Sequence, residues 1–77
     1  MNLEIISSTG ILFQGEATRV TLPGTLGSFT VLQDHASLLS TLRAGTLEYE
    51  SGGEVKSVEI EGGFVDVNNN RVAVCLK

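Results

Sequence analysis

The chain has 77 residues and a formal net charge of −4, from five Lys+Arg against nine Asp+Glu. That length supports one hydrophobic core and hence a single domain over residues 1–77, in which folding removes roughly 60% of the unfolded chain's surface from water. Negative charge without a cationic stripe argues against nucleic acid as a partner, and a lone cysteine, Cys75, leaves no internal disulfide or thiolate metal site to build.

The opening MNLEIISSTG has no cationic segment ahead of an apolar run, so no export signal is expected. No apolar stretch approaches the ~20 residues of a helical membrane span, so the expectation is a soluble chain. Period-2 alternation then predicts strands from end to end. NLEIIS sets Leu3 and Ile5 on one face and Glu4 and Ile6 on the other. ATRVTLP points Val20 and Leu22 inward and Arg19 and Thr21 to water, and Pro23-Gly24 is expected to end it in a turn. HASLLSTL fits a strand by its Ser and Thr content, although His35, Leu38, Leu39 and Leu42 also match helical spacing. TLEYESGGEVKSVEIE reads as a hairpin turning at Gly52-Gly53, with Leu47 and Tyr49 sharing a face and a bulge or late start at the out-of-phase Val55. The last hairpin turns at Asn68-Asn69-Asn70, and RVAVCL, apolar on both parities, should lie deep in the fold. Short strands joined by Gly and Asn turns describe an all-β sandwich or barrel.

Chemistry has few places to stand. Asp34-His35 with Ser37 or Ser40 as nucleophile is the one catalytic reading, and successive side chains on extended backbone point apart, which leaves Asp34 badly placed to orient the imidazole. A single histidine makes a poor metal site. Glu48, Glu50, Glu59 and Glu61 fit the solvated face of their hairpin. Gly24 and Gly27 lack the lysine and serine of a phosphate loop, and instead give backbone freedom at a tip from which Leu26, Ser28 and Phe29 project together.

At these residues the sequence becomes specific. PGTLGSFTVLQDHASLLSTLRAGTLEY resembles the signature region of the epsilon subunit of the F-type ATP synthase, with Gly24, Gly27, Val31, His35, Ala36, Leu38, Leu39, Leu42, Gly45 and Leu47 where that pattern places them. EGGFVDVNNNRVAV is similar to a second block of the family through Gly62, Gly63, Phe64, Val67, Asn70, Val72 and Val74, and LEIISSTGILFQGE to its first hairpin through Phe13 and Gly15. The resemblance implies a flattened β-sandwich of about ten short strands.

It also implies a non-catalytic subunit of the central stalk, without metal or cofactor, at the cytoplasmic face of a bacterial inner membrane. Its partners would be the gamma subunit and the c ring, and its task the transfer of torque during ATP synthesis. The implied contact residues are Gly24, Leu26, Gly27, Ser28, Phe29, Asp34 and His35, with Ser7 near gamma. The family often carries acidic residues around the second glycine, where Leu26 and Ser28 stand, so either apolar contact from Leu26 and Phe29 substitutes for electrostatic attraction or Asp34, where a glycine is usual, restores a charge. Members commonly continue into an inhibitory helical hairpin; a sequence ending VCLK is expected to keep the stalk module without it. Two competing readings are a stand-alone β-sandwich that binds a small ligand and an enzyme built on Asp34-His35.

Overall fold

Alternating side chains with Gly and Asn at the reversals become seven strands in the computed structural model, which describes residues 1–77. They are β1 (Asn2–Ser7), β2 (Gly10–Glu16), β3 (Arg19–Gly24), β4 (Gly27–Leu32), β5 (Leu38–Ser51), β6 (Glu54–Asn68) and β7 (Arg71–Leu76). Hydrogen bonding links all seven in the order β2-β1-β7-β6-β5-β3-β4, antiparallel everywhere except between β1 and β7.

The fold is all-β as expected, with seven strands in place of about ten short ones, because β5 and β6 run for 14 and 15 residues and each serves two layers. Their mutual register is continuous from Leu38 opposite Val67 to Ser51 opposite Glu54. Other strands use only part of them. β7 pairs with residues 63–68 of β6, whereas β3 pairs with residues 48–50 of β5 and meets it again only at Leu42. Phe13 on β2 and Tyr49 on β5 then reveal the shape, since their ring centroids lie 4.5 Å apart although three strands separate β2 from β5. In a flat sheet four strand spacings amount to ~19 Å, so the β5–β6 ribbon must fold the sheet onto itself. One layer holds β2, β1, β7, the end of β6 and the start of β5; the other holds the rest of β6 and β5 with β3 and β4.

Gly63 lies in the bent stretch of the ribbon. Its φ of +145° suits glycine alone, and a Cβ there would overlap the carbonyl oxygen of Cys75 and stand 3.0 Å from Leu76 Cα. Between the layers a single core collects Leu3 and Ile5 from β1, Val20 and Leu22 from β3, Leu47 and Tyr49 from β5, Val65 and Val67 from β6, and Val72 and Val74 from β7. Burying each such aliphatic side chain contributes about 1.5–3 kcal/mol, the main force holding the fold closed.

Three local expectations need correction. Pro23-Gly24 does not end the strand; β3 continues through Gly24 and the reversal falls at Thr25-Leu26. Proline offers no N–H to β5, and the β3–β5 register breaks between Thr21 and Gly24 at that point. No bulge occurs at Val55, which faces outward opposite Glu50 while Val58 turns inward opposite Leu47. HASLLSTL divides into a loop through Ser37 and a strand from Leu38, with no helical turn.

Candidate functional site

The β3–β4 hairpin ends in an exposed tip. Leu26 touches no core and is 103% exposed, with Ser28 exposed beside it. Phe29 departs from the expectation that all three project together: it lies opposite the buried Leu22 and packs against the core. Gly24 is what admits it. A Cβ on Gly24 would stand 2.9 Å from the Phe29 ring and 2.7 Å from the Gly27 carbonyl oxygen, so this glycine supplies space, while Gly27, at φ +134°, supplies the turn. Thr25 fastens the tip to the neighbouring layer, its N–H donating to the Thr41 carbonyl at 3.1 Å and its hydroxyl meeting that of Thr41 at 2.9 Å.

From Thr41 a row of outward side chains crosses five strands. Cross-strand partners share a face, and the pairs Thr41–Phe64, Phe64–Cys75, Cys75–Ile6 and Ile6–Ile11 follow one another through β5, β6, β7, β1 and β2. Four of the five are apolar, and Phe64 and Ile11 are 47% and 58% exposed. Leu39, 72% exposed, lies diagonally beside Phe64, and with Thr25, Leu26, Ser40 and Thr41 they line an open hollow of about 570 Å³. Its apolar walls stand largely in water, whereas small-ligand pockets enclose roughly 70–90% of their occupant, so the hollow suits a surface laid across it. Charged residues border the row: Arg43 and Lys77 on the side of the bend, Asp66 and Glu4 on the other.

The opposite outer face is built differently. Arg19 reaches Glu48 at 3.2 Å and Glu50 at 3.8 Å, Thr21 meets Thr30 at 3.0 Å, and Thr46 donates to Glu59 at 2.7 Å. These polar groups pair with one another, the exposed Leu32 and Val55 share the face with them, and the glutamates are surface residues as expected.

The anticipated contact residues therefore fall in three places. Gly24, Leu26, Gly27, Ser28 and Phe29 form the tip. Ser7 lies beside the far end of the apolar row, its hydroxyl occupied in the β1–β2 turn by Thr9 and by the Gly10 carbonyl. Asp34 and His35 follow β4 at the end away from the tip, ~17 Å along a six-residue strand. There the His35 Nδ1–H donates to the Ala36 carbonyl at 2.6 Å, while Ser37 donates to Asn68 and Ser40 to the Thr41 carbonyl, so neither serine is engaged by the imidazole. Sequence reasoning missed Ile6, Ile11, Thr41 and Cys75 as members of a surface; apolar character on both parities of β1 and β7 was a signal for Ile6 and Cys75, and Ile11 and Thr41 had none.

The fold is thus a two-layered β-sandwich with an apolar row across one outer face, ion pairs on the other and a protruding tip. The chain belongs to the ATP synthase delta/epsilon chain family, whose β-sandwich domain matches residues 1–77. It is similar to the ATP synthase epsilon chain of Leptospira borgpetersenii, with 39% identity over 74 residues, 96% of this chain and 58% of that one. The epsilon chain of Sulfurimonas denitrificans is 41% identical over 78 residues, 100% of this chain and 60% of the relative. The chain thus spans about three-fifths of the length of these curated relatives. Among solved structures, a chain of the Euglena gracilis mitochondrial ATP synthase (OSCP/F1/c-ring, rotational state 1) superposes with a TM-score of 0.89 at 27% identity, over 96% of this chain and 48% of that one. A chain from the central stalk/c-ring of the Tetrahymena thermophila enzyme shares the fold at a TM-score of 0.86 and 19% identity, covering 99% of this chain and 62% of that one.

Proposed function

We propose that this chain is a non-catalytic rotor subunit of a proton-translocating F-type ATP synthase, linking the gamma subunit to the c ring and carrying torque between them. The observation that supports this most directly is the row of mostly apolar outward side chains that runs from the exposed Leu26 past Thr41 through Phe64, Cys75 and Ile6 to Ile11, opposite a face where Arg19 pairs with Glu48 and Glu50 and Thr46 with Glu59. In this reading the tip meets the ring, and the row, with Ser7 at its end and the Asp34–His35 loop below, meets gamma. Apolar centre and charged border match the anatomy of a protein interface. The complex holds the chain peripherally at the cytoplasmic face of a bacterial membrane; no helix of the chain is long and apolar enough to cross one.

Torque requires stiffness, and here it comes from backbone pairing. Of 46 backbone hydrogen bonds, 41 lie within the strand ladders, and β5 and β6 run unbroken through both layers. A force applied at the tip passes through Thr41 into β5, without a flexible link. No bond chemistry is needed at any point. Co-purification of the tagged chain with gamma and the c ring tests the proposal; a solitary monomer indifferent to purified gamma overturns it.

A further inference from the structure

Three non-glycine residues adopt left-handed backbone, Asp34 at φ +59°, Asn69 at +51° and Asn70 at +60°, and a hydrogen bond joins the first to the last. The Asp34 N–H donates to Asn70 Oδ1 at 3.0 Å, across 36 residues of sequence. Ser37 makes a second tie to the same turn, donating to Asn68 Oδ1 at 3.2 Å. His35 lies between these two anchor points. The Asn70 carbonyl also accepts the Asn2 N–H at 3.0 Å, which fixes the turn to β1 and makes it a firm base.

We infer that Asn70 is the positioning residue for the His35 loop: its side-chain carbonyl holds Asp34 in the left-handed conformation and so sets how the imidazole is presented to a partner. The inference rests on the proposed role of that loop as a contact with gamma. Non-glycine residues visit this backbone region at a cost, which a specific hydrogen bond can offset. Released from Asn70, Asp34 relaxes toward ordinary φ values, and the reversal that aims His35 is lost.

Gly at position 70 keeps the left-handed φ without strain and removes only the acceptor; Asp keeps both the acceptor and the tolerance. In the 77-residue chain, Asn70→Gly should raise hydrogen exchange at the Asp34 amide about three- to tenfold, the worth of one hydrogen bond, and Asn70→Asp should restore protection. Wild-type exchange in Asn70→Gly overturns the inference. Against purified gamma, Asn70→Gly should weaken binding by about the same factor, Asn70→Asp should recover it, and Asn70→Gly should add nothing to His35→Ala. Additive losses, or full affinity in Asn70→Gly where His35→Ala is weakened, overturn the positioning role. If His35→Ala itself binds normally, the assignment of the loop to the gamma contact fails, and the amide exchange separately decides whether the tether exists.

Discussion

Leu26→Ala separates docking from folding. Leu26 is fully exposed at the tip and lies outside the core cluster, so its truncation should leave stability within about 0.5 kcal/mol of the parent. For a domain of this size that keeps the melting temperature within about 4 °C. In the proposed rotor the same side chain is covered by the ring, where burying a leucine is worth about 1.5–3 kcal/mol. Its loss should therefore weaken association with ring-bearing complexes about ten- to a hundredfold. Leu26→Asp should do worse, since a desolvated carboxylate replaces an apolar contact. The partner experiment is Phe29→Ala, which removes a ring packed between Gly24 and the core. That change should cost roughly 2–4 kcal/mol and lower the melting temperature by 10 °C or more. Thermal unfolding of both variants, beside equilibrium binding to detergent-solubilised ring with gamma, supplies the data. Unchanged binding in Leu26→Ala, or a collapse of its stability, refutes the assignment of the tip.

Gly63→Ala should abolish cooperative folding, because its Cβ collides with backbone atoms of Cys75 and Leu76 that cannot move without breaking the β6–β7 ladder; a sharp thermal transition near that of the parent contradicts the bend described above. Arg19→Ala should cost less than about 1 kcal/mol by chemical denaturation and leave gamma binding intact, since it removes two partly exposed ion pairs from the opposite outer face. Ile11→Ser, at the far end of the apolar row, should weaken binding to isolated gamma about three- to tenfold while sparing contact with the ring, and the reverse pattern would reassign that end of the face.

The elements were legible because alternation and turn chemistry are local. Leu3 and Ile5, Val20 and Leu22, Leu47 and Tyr49, and Val72 and Val74 announce buried faces within their own short stretches, and Gly52-Gly53 and Asn69-Asn70 do adopt the positive φ that their turns require. Gly24 was legible as a tip residue and misread in mechanism, since what Phe29 needs from it is space, and contact between residues five apart depends on the hairpin being formed. The apolar row was not legible, for a reason that pattern reading cannot avoid. Outward positions of a strand are assigned to water one strand at a time, and Phe64, Cys75, Ile6 and Ile11 each look like an isolated exception. Only the register of three strand pairs places them in line, and that register is fixed by the inward partners on the other side of the same strands: Leu3 and Ile5 against Val72 and Val74, these against Val65 and Val67, and Ile5 against Phe13. A slip of one residue in any pair would turn the buried side chains outward and disperse the row in the same step. The interior packing of this chain therefore also specifies its surface, and core substitutions that alter register without unfolding the chain should abolish docking before they abolish the fold.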